Sequence, residues 1–173
     1  MKVGIVTQPL SSNYGCLLQN YALQQALKKM GHEAITLDQT EKPVPQIKII
    51  ASIIKTFILK TAGKGADRKY PFRIDKKKIV YIRKHTQYFV DKYITRTTAM
   101  YKNGDFRNFC VDNKINALIV GSDQVWRPCY NDNIYRSFFD FAEGLDIKRY
   151  SYAASFGVDC WEFTEEQTLK CKK

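Results

Sequence analysis

The chain has 173 residues, of which 45% are hydrophobic and 26% are charged. This length suits one domain with its own hydrophobic core, and this composition excludes a disordered, collagen-like or coiled-coil chain. The formal net charge of +11 is typical of proteins that bind nucleic acid.

The positive charge is concentrated in one part of the sequence. Fourteen basic and three acidic residues lie between positions 42 and 92, so this stretch carries the whole +11 and the remainder is neutral. The basicity therefore describes one surface and need not describe the active centre. We predict no nucleic-acid partner.

The five cysteines are widely spaced, without a Cys-x-x-Cys pair or a nearby histidine. This pattern predicts neither a disulfide framework nor a metal site, and we interpret Cys16 as a packing residue rather than a nucleophile. The apolar run at the start is too short for a signal peptide, and no run approaches the roughly 18 apolar residues of a membrane span. We expect reduced thiols and a cytoplasmic protein.

The beginning of the chain predicts a βαβ unit. Apolar patterning indicates a strand at residues 2–7, a helix at 16–30 and a second strand at 33–38, with Gly31 ending the helix. Two strands joined through one helix should be parallel. The sequence therefore predicts an α/β fold with a Rossmann-like parallel sheet.

The stretch 42–98 separates this unit from the next predicted strand. It contains an apolar run at 47–59, a Gly63-Lys64-Gly65 break and a charged helical pattern at 75–93, which together predict a basic helical insertion. Further elements are expected in this order: a helix at 105–114, a doubly buried strand at 116–120, strand or edge segments at 135–141 and 149–154, and a helix from 164 onwards capped by Thr164.

Three segments follow predicted strands and would meet at one edge of a parallel sheet, where such folds bind ligands. In the first, Asn13, Tyr14 and Gly15 stand at the start of a helix, whose free N–H groups favour an anion. The alternative is purely structural: Asn13 caps the helix and Gly15 permits a tight turn. Neither a GxGxxG spacing nor a P-loop lysine is present, so nucleotide binding is not indicated.

The second segment, GSDQVW (121–126), places a carboxylate near an aromatic ring. Asp123 can accept hydrogen bonds from sugar hydroxyls or remove a proton from one, and Trp126 can stack on a sugar or a base. The alternative is that Asp123 caps a turn. The third segment, SYAASFG (151–157), has small residues that let the backbone approach a ligand or a neighbouring helix.

The sequences NYGCLLQNYALQQALKKMGHE (13–33), VGSDQVWRP (120–128) and KRYSYAASFG (148–157) occur in this order. Together they resemble the polysaccharide pyruvyl transferase family, over nearly the whole chain outside 42–98. Members of that family resemble two-domain GT-B glycosyltransferases and transfer a pyruvyl group from phosphoenolpyruvate to two hydroxyls of a sugar, forming a ketal. For this chain the resemblance implies a part in surface-polysaccharide synthesis, with phosphoenolpyruvate as donor substrate and no cofactor.

The resemblance also implies the site residues. It places Asp123 nearest to the acceptor hydroxyls, as the candidate catalytic residue. The remaining residues that it implies for the cleft are Asn13, Tyr14, Gly15, Gln19, Ser122, Gln124, Trp126, Ser155 and Gly157. The family's arginines and histidine that suit the donor belong to its C-terminal half. We therefore expect residues 1–173 to be the N-terminal, acceptor-side domain, without the C-terminal domain and inactive alone.

Two other functions remain open. One is a nucleotide-sugar glycosyltransferase of the same architecture, which a nucleotide-sugar would reveal by raising the melting temperature. The other is a non-catalytic interaction module that binds a membrane surface. The candidate partners are accordingly a sugar or lipid-linked glycan acceptor and an anionic membrane, which would make the protein peripheral on the inner membrane face.

The membrane hypothesis depends on the apolar run of the stretch 42–98. Its side chains follow helical spacing among lysines, as in helices that lie on anionic lipid. They are Ile47, Ile50, Ile54, Phe57 and Ile58. The same stripe would equally suit packing against the sheet or a second subunit, and the sequence does not indicate an oligomeric state.

Overall fold

The computed structural model of the chain describes residues 1–11, 13–39, 46–61, 76–131 and 133–172. It divides into two compact units, one formed by Met1–Glu41 with Lys84–Lys173 and the other by Lys42–Arg83. The first unit contains the sheet. The predicted Gly63-Lys64-Gly65 break lies outside the described residues.

Among the described residues, four parallel strands form the sheet, in the order β2-β1-β3-β4. They are β1 (Lys2–Val6), β2 (Glu33–Thr36), β3 (Ala117–Asp123) and β4 (Lys148–Ala154). The predicted α/β class and parallel sheet are confirmed, and the sheet is consistent with a Rossmann-like fold. Because β2 and β3 lie on opposite sides of β1, strand order reverses there, and the carboxyl ends of β1 and β3 form the crevice in which such sheets bind ligands.

Five α-helices accompany the strands in the described part of the chain. They are α1 (Tyr14–Lys29) between β1 and β2, α2 (Gln46–Thr61), α3 (Lys76–Tyr93) and α4 (Asn103–Asp112) between β2 and β3, and α5 (Glu165–Cys171) after β4. All five lie close to the positions predicted from the sequence. Within the described residues, no helix combines the length and the apolar character that crossing a membrane requires.

Helix ends follow the predicted side-chain chemistry. The Asn13 side chain caps α1 by accepting a hydrogen bond from the Cys16 N–H at 3.3 Å. Gly31 follows the end of α1 with a φ of 79°, a value that glycine adopts without strain. Thr164 and Gln167 form a reciprocal capping box at the start of α5.

The prediction of strand or edge structure at 135–141 is wrong. Two short 3-10 helices occupy this region, Ile134–Phe138 and Asp140–Ala142, and Phe139 between them is left-handed with a φ of 61°. Aromatic side chains of this region enter the core from these turns. Phe141, for example, packs against Phe106 of α4 with ring centroids 5.3 Å apart.

Side chains of the two central strands alternate between two cores. Ile5 faces α1, where it packs with Leu23 and Ala34. Val6, Leu118 and Val120 lie in a larger core on the other face, which α4 and the 3-10 helices complete. The central strands are thus covered on both faces, as their nearly continuous apolar sequences require.

Candidate functional site

The segments that follow β1, β3 and β4 meet at the carboxyl edge of the sheet. The side-chain amide of Gln8 donates to the carbonyl of Gln124 at 3.4 Å. The N–H of Ser155 donates to the carbonyl of Asp123 at 3.0 Å, and the N–H of Trp126 donates to the carbonyl of Ser155 at 3.2 Å. These bonds bring together three segments that are far apart in sequence.

Asp123 ends β3 in a strained backbone conformation. Its φ is 87° and that of Ser122 is 34°, a region that non-glycine residues rarely adopt. The Asp123 carbonyl accepts hydrogen bonds from the N–H and the hydroxyl of Ser155, and surrounding contacts of this kind can support a strained backbone. The half-buried Asp123 carboxylate accepts the N–H of Gln124 through Oδ1 at 2.8 Å, and no hydrogen bond in the described part of the chain involves its Oδ2 atom.

The start of α1 lies beside this carboxylate. Cys16, 3% exposed, lies 3.9 Å from the Thr7 hydroxyl and donates from Sγ to the Gln8 carbonyl at 3.7 Å. Burial raises the pKa of the Cys16 thiol, and the negative charge of nearby Asp123 raises it further. Cys16 is therefore a protonated packing residue, as predicted.

The predicted site residues differ in how much surface they offer. Those exposed to solvent are Asn13, Tyr14, Gly15, Gln19, Ser155 and Gly157, and those half-buried are Asp123, Gln124 and Trp126. Ser122 is 7% exposed, so its side chain presents little area to a ligand. Tyr14 and Gln19 take no part in the hydrogen bonds that join the three segments, and their contact with a ligand stays a prediction.

Trp126 is packed into an aromatic cluster. Its indole stacks on Phe138 at 5.8 Å and contacts Phe156 at 5.4 Å, and its Nε1 donates to the carbonyl of Ser137 at 3.3 Å. The cluster continues through Phe156 to Trp161, which is 60% exposed and was not singled out from the sequence. Trp161 offers more open ring surface than Trp126 does.

Gly157 leaves room for the side chain of Gln124. Its φ is 70°, and a Cβ atom at this position would overlap Gln124. The Gln124 Oε1 atom accepts a hydrogen bond from Arg127 Nη1 at 3.2 Å. The absence of a side chain at position 157 therefore sets where Gln124 and Arg127 meet.

Arg127 is held in place by Glu162. Two hydrogen bonds of 2.9 and 3.0 Å join the guanidinium to the carboxylate, and the guanidinium lies 4.8 Å from the Tyr130 ring centroid. The hydrogen bonds from Arg127 lower the pKa of Glu162. Sequence reasoning missed this pair because the partners are 35 residues apart and no local pattern connects them.

The thiols and the acidic side chains of the described residues form neither a disulfide nor a cluster that could hold a metal ion. All five cysteines are free thiols. In the ranges that the structure describes, no group of three or more His, Cys, Asp or Glu side chains is placed to hold a metal ion. The chemistry of the site is that of a carboxylate, amides and hydroxyls, which suits hydrogen bonding to a polyhydroxylated ligand.

A sequence profile of the family described as polysaccharide pyruvyl transferase matches residues 13–171. The matched range contains all ten predicted site residues and confirms the resemblance seen in the three segments. No curated protein and no solved structure matches the chain.

Proposed function

Because the chain belongs to the polysaccharide pyruvyl transferase family, we propose that it forms the acceptor side of an enzyme that transfers a pyruvyl group from phosphoenolpyruvate to a surface polysaccharide. The observation that carries the proposal is the position of Asp123. Its half-buried carboxylate ends the central strand where the three family segments meet. This is the carboxyl edge at which open parallel sheets bind ligands.

The reaction proposed is the formation of a ketal across two sugar hydroxyls. One hydroxyl oxygen bonds to C2 of phosphoenolpyruvate while C3 gains a proton, and the second oxygen replaces the phosphate at C2. The two hydroxyls lose two protons in total. One is matched by the proton that C3 gains when it becomes a methyl group, and the other leaves with inorganic phosphate. The reaction therefore needs a hydrogen-bond acceptor for the attacking hydroxyl and an acid at C3.

Asp123 suits the first of these tasks. A carboxylate that accepts a hydrogen bond from the sugar hydroxyl orients the hydroxyl oxygen and increases its nucleophilicity. The bond between Oδ1 and the N–H of Gln124 fixes the carboxylate plane, which leaves Oδ2 for the acceptor. Exposed Ser155 and half-buried Gln124 are placed to donate or accept further hydrogen bonds from neighbouring hydroxyls.

The donor requires positive charge for its phosphate and its carboxylate. At the described edge, the Arg127 guanidinium is already bonded to Glu162. We propose that the donor is bound largely by cationic groups outside the described edge, in the second domain of a GT-B-like architecture. Residues 1–173 alone should then bind the acceptor and fail to release phosphate from phosphoenolpyruvate.

Saturation-transfer NMR with the 173-residue chain tests acceptor binding. The probe is the surface polysaccharide of the source, from which mild acid has removed the ketals, and the matched control is the same polysaccharide with its ketals intact. The freed hydroxyls should give a saturation-transfer signal that the blocked polysaccharide does not. Equal signals from the two polysaccharides, or none, would contradict an acceptor site.

Two further measurements test the donor side and the competing glycosyltransferase function. The chain, mixed with phosphoenolpyruvate and the ketal-free polysaccharide, should release no phosphate. Release would support the reaction but refute the claim that this domain is inactive alone. A melting temperature raised by a nucleotide-sugar, and not by the ketal-free polysaccharide, would favour the glycosyltransferase instead.

A further inference from the structure

Helix α2 presents large apolar side chains to solvent and buries a threonine. Thr56 is 0% exposed, and its hydroxyl donates within the helix to the carbonyl of Ser52 at 2.7 Å. Six large apolar side chains are between 38% and 78% exposed, and we call them the α2 stripe: Ile47, Ile50, Ile53, Ile54, Phe57 and Ile58. A helix on a water-soluble core normally has the opposite orientation.

The α2 stripe has lysines at its two borders. At 3.6 residues per turn, its six side chains occupy a sector of about 140° around the helix axis. Lys60 lies about 20° beyond one border of this sector and Lys55 about 60° beyond the other, and both are exposed. Lysines in these positions can extend along the apolar surface and keep their ammonium groups in the polar layer above it.

The charge of the surrounding unit indicates what covers the stripe. The unit Lys42–Arg83 contains twelve basic and two acidic residues. A second copy of the chain would bring two such units together, and their like charges would oppose the contact. An anionic lipid surface instead offers both an apolar layer for the stripe and negative headgroups for the lysines.

We propose that α2 is a membrane-surface helix, which lies in the plane of an anionic bilayer with the α2 stripe among the acyl chains. The helix has 16 residues, so it lies on the bilayer and does not span it. The proposal concerns this unit alone and does not depend on the proposed transferase activity. For an enzyme with a lipid-linked acceptor, such a helix would hold the protein at the surface where the acceptor is found.

Vesicle co-sedimentation of the 173-residue chain tests the proposal. The chain should bind vesicles of phosphatidylcholine with about 30% phosphatidylglycerol at least about tenfold more strongly than vesicles of phosphatidylcholine alone, because each surface lysine is attracted by anionic headgroups. The double variant Ile54→Glu with Ile58→Glu should weaken binding to the anionic vesicles by at least about tenfold, because it places charge in the apolar stripe.

The control pair is Val111→Glu with Leu169→Glu, whose parent side chains are 53% and 67% exposed on α4 and α5. This pair removes two exposed apolar groups and adds the same charge, so its binding should stay within about twofold of the parent. Equal loss in both pairs, or equal binding of the parent to both vesicle types, would overturn the proposal. A parent dimer that only the Ile54→Glu, Ile58→Glu pair dissociates would identify a second copy as the occupant.

A second variant separates insertion from simple charge attraction. Phe57→Trp places a fluorophore in the stripe, and acyl-chain-brominated phosphatidylcholine mixed with phosphatidylglycerol should quench it. The parent, with Trp126 and Trp161 only, gives the background signal. Binding without additional quenching of Phe57→Trp would contradict insertion of the α2 stripe, even if the double variant fails to fold.

Discussion

At the scale of single residues, Asp123 combines backbone strain with a carboxylate at the ligand-binding edge. A non-glycine residue with a φ of 87° costs roughly 1–3 kcal/mol relative to an unstrained one. Glycine would adopt this backbone without strain. An aspartate in such a place is therefore better explained by what its carboxylate binds than by stability, which agrees with the role proposed for it.

Asp123→Asn separates the charge of this side chain from its shape. Asparagine tolerates left-handed backbone and can still accept the Gln124 N–H, so the free energy of unfolding should stay within about 0.5 kcal/mol of the parent. The saturation-transfer signal of the ketal-free polysaccharide should disappear. Urea unfolding and NMR of the same preparation measure the two effects, and an undiminished signal would remove Asp123 from the acceptor site.

Gly157→Ala tests whether this glycine sets the position of Gln124. Gly144→Ala is the matched control, because Gly144 has a similar φ of 74° but open space where a Cβ would lie. Both variants should lose about 1–2 kcal/mol of unfolding free energy through backbone strain. Only Gly157→Ala should also weaken acceptor binding, since its Cβ displaces the Gln124 side chain, and equal binding by the two variants would refute this role.

Some of these residues were predictable from sequence and others were not. The caps at Asn13 and Thr164 depend on local side-chain chemistry, which the sequence displays. The position of Asp123 follows from a general rule about strand ends in parallel sheets. The pairing of Arg127 with Glu162 depends on how a distant loop returns to the edge, and the packing of Trp126 depends on turns that were predicted as strand.

At the scale of elements, the buried side-chain amide of Gln24 in α1 attaches the segment around Thr95 to the sheet. Gln24 is 0% exposed, and its Nε2 atom donates to the Thr36 hydroxyl at 2.8 Å and to the Thr95 carbonyl at 2.6 Å. Its Oε1 atom accepts the N–H of Thr95 at 3.1 Å. The Thr95 backbone is thereby fixed beside β2, which it also joins through a bond to the Thr36 N–H.

Gln24→Leu should destabilise the protein although it conserves volume. The substitution removes the donor to the fully buried Thr36 hydroxyl and the side-chain partner of the Thr95 backbone, which should cost about 1–3 kcal/mol. Gln25→Leu, at the adjacent half-buried position, should change the unfolding free energy by less than about 1 kcal/mol. Chemical denaturation measures both, and equal effects would show that the Gln24 amide contributes nothing beyond packing.

Element types were predictable wherever apolar periodicity and end signals agreed. For α1, the helical spacing ended at Gly31, and for β3 the all-apolar run indicated a strand buried on both faces. The strand prediction for 135–141 was wrong because aromatic side chains suit strands and core-facing turns alike. Two features produce turns here instead. The Asn133 side chain accepts a hydrogen bond from the Tyr135 N–H at 3.2 Å, and Phe139 has a left-handed backbone. Neither feature was apparent from composition.

At the scale of the whole molecule, charge and polar chemistry belong to different units. The sheet-containing unit holds the family segments and the Asp123 site, whereas the unit Lys42–Arg83 holds most of the excess positive charge. The net charge of the chain consequently says little about its acceptor. We propose that it bears instead on the anionic surface that the protein meets.

Thiol reactivity should report on the integrity of the folded chain. Burial raises the pKa of Cys110 to about 11 and also raises that of Cys16, so near pH 8 both thiols stay protonated and unreactive. N-ethylmaleimide should modify exposed Cys129 and Cys160 first, and Cys16 and Cys110 only in denaturant. Mass spectrometry of the digest identifies the sites, and modification of native Cys16 as fast as Cys129 would contradict the described core.

The most direct test of the proposed function is the pyruvyl-ketal methyl signal in the NMR spectrum of the source's surface polysaccharide. Deleting the reading frame that encodes this chain should remove the signal, and restoring the native reading frame should return it. The same reading frame with Asp123→Asn, expressed at equal abundance, should not return the ketal signal. A ketal signal that survives the deletion would refute the pyruvyl transfer, and full restoration by Asp123→Asn would refute the role of Asp123.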